Sequence, residues 1–138
     1  MTCTSSPPSA EAKTAGYSKK SLIDKLGLRA GMKAHLVGAG YQAPAGVHLT
    51  SEAPLDFVHL FTKDRRELER AFKLLAKALG PAGMLWVSWP KKASKVQTDL
   101  SEAVVREIGL GAGLVDVKVC AVDEVWSGLK FVIRLKNR

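Results

Sequence analysis

Hydrophobic residues recur along the chain in two patterns, and the first of them predicts β-strands. Runs at 55–61 and 84–89 are apolar at nearly every position, which is typical of strands buried on both faces of a sheet. Two C-terminal runs, at 114–122 and 129–136, alternate between apolar and polar residues, and the six residues between them predict a hairpin with a wide turn. A further run at 32–37 predicts the first strand.

The second pattern repeats about every 3.6 residues and predicts helices. A short first helix has Ser18 as its N-cap and ends at Gly27. The second helix has Asp64 as its N-cap and Glu67 as the reciprocal partner in a capping box. It ends at the Gly-Pro pair at 80–81.

A third helix is predicted from Thr98 or Asp99 to Ile108, with Gly109 as its stop. Its buried face comprises Leu100, Ala103 or Val104, and Ile108. The segment at 89–98 comes directly after a buried strand, contains three lysines and has no hydrophobic repeat, so it predicts a loop.

These elements, with a weak strand at 47–50, alternate between strand and helix along most of the chain. Such an order predicts an α/β fold in which helix-linked strands pair in parallel through right-handed crossovers. Residues 16–138 are expected to form a single domain. Residues 1–15 are rich in Ser, Thr, Pro and Ala, and they predict a flexible tail.

Composition and charge narrow the class of partner. The 138 residues suit one domain, and the net charge of +8 raises nucleic acid and anionic small molecules as partners. The basic residues form no long block, which argues against an arm for duplex DNA. Two cysteines, Cys3 and Cys120, provide neither a disulfide framework nor a metal cluster. The chain has no apolar run of about 20 residues and no signal-peptide pattern, so we expect a cytoplasmic protein without a membrane partner.

Several segments resemble class I methyltransferases. The phrase LGLRAGMKAHLVGAG, at 26–40, is similar to the helix, turn, strand and glycine loop that pack against S-adenosylmethionine in that family. LDFVHLF, at 55–61, resembles the family's fourth strand, and 71–91 resembles the following helix, turn and fifth strand. The C-terminal hairpin resembles the sixth and seventh strands. The resemblance extends from Tyr17 to Arg138, and it implies a truncated Rossmann-like fold with a mostly parallel sheet and an antiparallel C-terminal hairpin.

The whole chain resembles more closely a family of small bacterial proteins that share a domain of unknown function. The similar motifs are GYS at 16–18, WPKK at 89–92, TDL at 98–100, KVCAVDE at 118–124, and WSGL with Phe131 at the C-terminal end. This second resemblance implies the same fold and no particular reaction.

The chain departs from methyltransferases at the positions that hold the cofactor there. Their first strand ends in an acidic residue, whereas His35 or Val37 stands here, and the next acidic residue is Glu52. Only the 14 residues at 41–54 separate the glycine loop from the equivalent of the fourth strand. The motif for S-adenosylmethionine, or for a nucleotide, is therefore incomplete.

Parallel pairing places four loops at the carboxyl edge of the sheet, which is where ligands bind in such folds. The loops are at 38–42, 62–66, 89–98 and 123–127. Lysines beside helix N-termini favour an anion, and tryptophans offer stacking faces for a flat group. The predicted ligand-binding residues are Gly38, Gly40, Lys63, Arg65, Trp89, Lys91, Lys92, Lys95, Thr98, Asp123, Glu124 and Trp126.

Several of these residues also have a purely structural interpretation. The lysines can serve solubility, Asp123 and Glu124 can serve as their ion-pair partners, and Trp126 can pack against the sheet edge. His35, His48 and His59 lack metal-ligand spacing, and structural roles are expected for them. No residue pattern identifies a catalytic group or a metal site.

Three functions follow as hypotheses. The preferred one is a non-catalytic module that binds an anionic small molecule, phosphate-bearing or nucleotide-like, at the carboxyl edge. The second is a module that docks a protein, a nucleic acid or a second copy of the chain in a homo-oligomer, because a shortened fold can leave a sheet face or edge uncovered. The third is an S-adenosylmethionine-dependent methyltransferase.

Overall fold

The computed structural model describes residues 21–134. In chain order the strands are β1 (Lys33–Val37), β2 (His48–Leu49), β3 (Leu55–Phe61), β4 (Leu79–Pro90), β5 (Leu114–Ala121) and β6 (Trp126–Ile133). The helices are α1 (Leu22–Leu26), α2 (Arg65–Ala78) and α3 (Glu102–Gly111), and a single 3₁₀ turn spans Lys92–Ser94. The predicted tail at 1–15 and the predicted N-cap Ser18 lie outside the described residues.

All six strands form one sheet in the order β2-β1-β3-β4-β6-β5. Strands β2, β1, β3 and β4 pair in parallel, and β6 is antiparallel to both of its neighbours, β4 and β5. The predicted fold is confirmed: a Rossmann-like, mostly parallel sheet that ends in an antiparallel C-terminal hairpin. The weak strand predicted at 47–50 is present as the two-residue β2.

The two faces of the sheet are covered unequally. Helices α2 and α3 pack on one face, where Phe72 meets Phe131 edge-on with ring centroids 5.2 Å apart. Among the described residues, the five-residue α1, apolar residues between α1 and β1, and apolar residues of the β1–β2 connection cover the other face, around Phe57 and Trp86. We call these the α2/α3 face and the α1 face. None of the helices within residues 21–134 is long and apolar enough to span a membrane.

Local hydrogen bonds explain where the first two helices begin. The N-cap of α1 is Ser21, three residues after the predicted Ser18, and its hydroxyl accepts a bond from the Asp24 N–H at 3.2 Å. Gly27 ends this helix as predicted, with a φ of 84° that a residue with a side chain rarely adopts. Asp64 caps α2 as predicted and accepts hydrogen bonds from the second and third N–H groups of the helix.

The prediction that Glu67 completes a capping box by accepting a hydrogen bond from the Asp64 N–H is wrong. The carboxylate of Glu67 accepts a hydrogen bond from the Thr62 hydroxyl and not from the backbone of Asp64. The Asp64 N–H donates to that same hydroxyl oxygen at 3.3 Å. Thr62, the residue directly after β3, therefore lies between the two members of the expected pair and bonds to both.

The segment after α2 is strand and not turn. The predicted stop at 80–81 is wrong, because α2 ends at Ala78 and the chain enters β4 directly at Leu79. The register between β3 and β4 shifts between Leu55 and Phe57, and a Cβ atom on Gly83 would lie 2.6 Å from the Leu55 carbonyl oxygen. The glycines at this end of β4 thus allow a close backbone approach at an irregular pairing.

Helix α3 begins and ends later than predicted. Ser101 is its N-cap, and Thr98 and Asp99 lie in the loop, where their side chains bind backbone groups around the start of α2. Gly109 is not a stop but a buried position inside α3, where a Cβ atom would lie 2.0 Å from Phe131 Cε1. Val105 and Gly109 are the fully buried positions of α3, and the predicted Val104 and Ile108 are half-buried and pack against the core. The predicted Ala103 is exposed, and Leu100 is buried in the preceding loop.

We expect Gly109→Ala to lower the free energy of unfolding by about 1–3 kcal/mol, the range typical of overpacked cores. Urea denaturation of the variant measures this loss. Gly111→Ala is the matched control, because its Cβ would meet nothing within 4 Å and alanine favours a helix. Equal stability of the two variants would contradict the close packing of Gly109 against Phe131.

Candidate functional site

The carboxyl edge of the sheet carries the predicted loops, but the sheet itself divides them between two faces. Gly40 and Asp123 line a pocket on the α1 face. Trp89, Lys92 and Lys95 line a groove on the α2/α3 face. The twelve predicted residues therefore do not converge on one cavity.

We call the first cavity the α1-side cleft; it is lined by Leu22, Gly40, Tyr41, Phe61, Val122 and Asp123 and has a volume of about 160 Å³. It lies where β1 and β3 end, and the chain leaves β1 towards β2 but leaves β3 in the opposite direction, towards β4. Such a reversal of strand order is the usual ligand position in open α/β sheets. Gly38 turns the chain there with a φ of 73°, and its Cβ position is 3.4 Å from the Phe61 carbonyl oxygen.

The hairpin between β5 and β6 closes the cleft on one side. Asp123 Oδ1 accepts hydrogen bonds from the N–H groups of Val125 and Trp126, each at 2.8 Å, and these bonds hold the turn. The prediction that Trp126 lies in the turn is wrong. Trp126 is the first residue of β6 and pairs with Pro90 of β4. Its ring packs edge-on against Phe61, with centroids 5.2 Å apart. Trp126 therefore supports the wall of the cleft from behind Phe61.

A buried chain of polar side chains connects the cleft to the core. The Tyr41 hydroxyl is 2.7 Å from His59 Nδ1, and His59 Nε2 is 2.7 Å from Ser88 Oγ. His59 and Ser88 are fully buried, and the His59 ring stacks on Phe61 with centroids 4.2 Å apart. Burial lowers the pKa of His59 to about 3 and raises the pKa of Tyr41. His59 is thus a neutral structural histidine with both nitrogens paired, as the absence of ligand spacing indicated.

Tyr41 and Ser88 were missed as members of this site. A signal for the contact of His59 with Phe61 exists in LDFVHLF, because residues 57, 59 and 61 share one face of a strand. No sequence pattern relates Tyr41 to His59, since the contact depends on how the β1–β2 connection folds back over the sheet.

We call the second cavity the lysine groove; it has a volume of about 540 Å³ and is lined by Trp89, Pro90, Lys92, Lys95, Val96, Gln97, Thr98, Leu100, Ser101 and Glu102. Trp89 forms its floor as part of the core, with 5% of its surface exposed. Lys91 does not line the groove, and its backbone N–H donates to the Val125 carbonyl at 2.7 Å, which ties the loop to the hairpin.

The start of α2 is already occupied by carboxylates of the protein. Asp99 accepts from the Arg65 N–H at 2.8 Å, and Asp64 accepts from the next two N–H groups. The Arg65 guanidinium turns away to Glu69 and Glu107, at 3.3 and 3.7 Å. Asp64 and Asp99 therefore already satisfy the first three N–H groups of α2, so an anion predicted beside Arg65 would bind without them.

Two predicted residues, Lys63 and Glu124, line neither cavity. Lys63 is exposed, and its carbonyl accepts a bond from the Thr98 hydroxyl at 2.6 Å. Glu124 is exposed on the hairpin turn. Between residues 21 and 134, no salt bridge joins Lys91, Lys92 or Lys95 to Asp123 or Glu124. That same part of the chain holds no group of three or more His, Cys, Asp or Glu side chains that could bind a metal ion.

No protein-family model matches the sequence, and no curated protein matches it. Solved structures with the same fold do exist. A SAM-dependent methyltransferase from Aquifex aeolicus is 16% identical with a TM-score of 0.60, and the match covers 82% of this chain and 88% of that one. Magnesium protoporphyrin IX methyltransferase from Synechocystis, solved with bound SAM, is 13% identical with a TM-score of 0.56 over 82% and 74% of the two chains.

A TehB-like SAM-dependent methyltransferase from Corynebacterium glutamicum is also similar, at 13% identity and a TM-score of 0.55 over 82% of this chain and 85% of that one. At these identities the likeness shows the fold alone. The protein therefore has a methyltransferase-like Rossmann fold.

The buried His59 predicts an acid-sensitive fold. Its pKa in the folded protein, about 3, is below its usual value of 6.5, so protonation favours unfolding. The stabilisation is complete above pH 6.5 and is lost as the pH falls towards 3, by up to about 1.4 kcal/mol per pH unit. Urea denaturation between pH 7 and 4 measures this slope. His59→Gln should be less stable at pH 7 but show a flatter slope, and equal slopes would contradict the prediction.

Proposed function

We propose that the protein binds S-adenosylmethionine, or the product left after methyl transfer, in the α1-side cleft and acts as a methyltransferase. The observation that carries this proposal is the position of the cleft. It lies at the reversal of strand order, beside the glycine loop at 38–40, in a fold shared with several SAM-dependent methyltransferases. One of those, from Synechocystis, was solved with SAM bound.

The side chains around the cleft suit parts of such a ligand. Phe61 and Tyr41 offer apolar ring surface for the adenine. Asp123 uses Oδ1 for the hairpin turn, and within residues 21–134 no group donates to Oδ2, which leaves an acceptor for a ribose hydroxyl or an ammonium group. In this proposal Asp123 replaces the acidic residues that methyltransferases carry after their first two strands. Glu52, the first acidic residue after β1 in this chain, is exposed on the connection after β2.

The size of the cleft limits how much of the ligand it encloses. Pockets that enclose a drug-sized molecule have volumes of roughly 300–1,000 Å³, and the α1-side cleft has about 160 Å³. It therefore encloses one end of an S-adenosyl compound, and the rest lies along the open carboxyl edge. S-adenosylmethionine supplies an electrophilic methyl group, so the task of the protein is to hold and orient both reactants.

Gly40→Val tests the location. A Cβ atom at Gly40 would meet nothing within 4 Å, so the fold should tolerate valine, while the added methyl groups enter the cleft. We expect isothermal titration calorimetry with S-adenosylmethionine to show binding to the natural protein and at least about tenfold weaker binding to the variant. Ala45→Val, at an exposed position of the same connection, is the matched control. Absence of binding to the natural protein at millimolar ligand would contradict the proposal.

A second candidate function is the binding of an anionic, phosphate-bearing molecule in the lysine groove. Its specific support is that Lys92 and Lys95 line one 540 Å³ groove whose floor is Trp89. Ammonium groups attract phosphate as point charges, and the indole adds apolar contact. Glu102 is the acidic side chain that lines this groove. We regard this as a separate site, because it opens on the other face of the sheet.

The double variant Lys92→Gln/Lys95→Gln tests the second candidate. We expect millimolar ADP or pyrophosphate to raise the melting temperature of the natural protein, by mass action, and not that of the variant. Lys73→Gln/Lys77→Gln, on the exposed side of α2, removes the same charge and should keep the response. A response that both variants retain would point to nonspecific attraction by the net charge and against this groove.

A further inference from the structure

The hydrogen-bond chain of Tyr41, His59 and Ser88 contains a fixed number of protons that can be donated in hydrogen bonds. Ser88 Oγ has His59 Nε2 as its sole hydrogen-bond partner in residues 21–134, and Tyr41 Oη likewise has only His59 Nδ1. The imidazole is neutral at physiological pH, because burial lowers its pKa to about 3. The chain therefore holds three protons, one on each group, but it contains only two hydrogen bonds. One proton must point out of the chain at one of its ends.

The two ends differ in their surroundings. If His59 carries its proton on Nε2 and donates it to Ser88, the proton of the Ser88 hydroxyl points into a fully buried region in which no described group accepts it. A buried donor without an acceptor is costly, so native structures rarely contain one. If His59 carries its proton on Nδ1, the extra proton is on Tyr41, which is half-buried and lines the α1-side cleft.

We infer that Ser88 donates to His59 Nε2, that His59 donates from Nδ1 to Tyr41, and that the Tyr41 hydroxyl donates to a bound ligand in the α1-side cleft. Its partner is a hydrogen-bond acceptor, such as a carboxylate or a ring nitrogen, rather than an ammonium group. The last step rests on the proposed ligand-binding function. The direction of the internal bonds does not, because it follows from burial alone.

This arrangement assigns different roles to the three residues. Ser88 is not a nucleophile, since it is fully buried and its hydroxyl proton is committed to His59. His59 is a positioning residue: by donating to the Tyr41 oxygen, it leaves the Tyr41 O–H to donate into the cleft. Tyr41 is the ligand-binding residue, and a cleft lined by both Tyr41 and Asp123 presents one donor and one acceptor to a ligand.

The internal direction is tested on the natural protein without any ligand. Long-range ¹H–¹⁵N correlation spectra distinguish a protonated ring nitrogen from an unprotonated one, and the His59 signals are assigned by their loss in His59→Gln. We expect the proton on Nδ1 at pH 7. A proton on Nε2 would overturn the inference, whether or not S-adenosylmethionine binds.

The ligand contact is tested with Tyr41→Phe, which keeps the ring and removes the hydroxyl. Calorimetry with S-adenosylmethionine should show affinity about five- to tenfold weaker than that of the natural protein, the usual effect of one lost hydrogen bond. Unchanged affinity would overturn the assignment of Tyr41 as a donor to the ligand, even with the proton on Nδ1. If the natural protein does not bind S-adenosylmethionine, the proposed function fails, while the spectra still decide the internal direction.

Discussion

The α1 face of this protein depends on how one five-residue helix is fastened to the sheet. A helix of that length is unstable alone, since nucleation costs more than so few hydrogen bonds return. The sheet supplies what is missing, because Trp86 Nε1–H donates to the Leu26 carbonyl and Lys118 Nζ donates to the Lys25 carbonyl, both at 2.9 Å. These bonds satisfy two of the carbonyls that every helix leaves free at its C-terminus. Leu22, at the other end of α1, can then form a wall of the cleft.

Aromatic and polar side chains pack closely on that face. The His59 ring of β3 lies next to the rings of Phe57, Phe61, Trp86 and Tyr41. The His59 ring packs between aromatic rings, and its burial costs little because both ring nitrogens have hydrogen-bond partners. The cleft and the hydrogen-bond chain therefore lie on the face of the sheet that α1 covers.

Much of the fold could be predicted from the sequence, and for physical reasons. LDFVHLF is apolar on both faces and was placed at its observed bounds, and Asp64 offers a clear N-cap. Predictions failed where a long-range contact overrides local propensity. Glycine commonly ends a helix, but Gly109 lies inside α3, where a larger residue would clash with Phe131. Thr98 and Asp99 are residue types that commonly cap helices, but their side chains bind the backbone of Lys63 and Arg65 instead.

For the candidate site, the sequence predicted which loops share the carboxyl edge but not on which face each side chain lies. That division depends on strand pleat and on the path of the loops. Arg65 illustrates this, since its guanidinium pairs with Glu69, one turn along α2, and with Glu107 of α3, and not with a residue of the other predicted loops.

The bonds that Thr98 and Asp99 make to Lys63 and to the Arg65 N–H have a consequence for how the lysine groove responds to a ligand. They fasten the loop before α3 to the backbone at the start of α2. The loop that carries the lysines is thereby restrained by a second, separate connection of the sheet. A loop restrained in this way has already lost much of its conformational entropy during folding. A molecule that enters the groove meets a wall with a preset shape, and less of its binding free energy is consumed in ordering that wall.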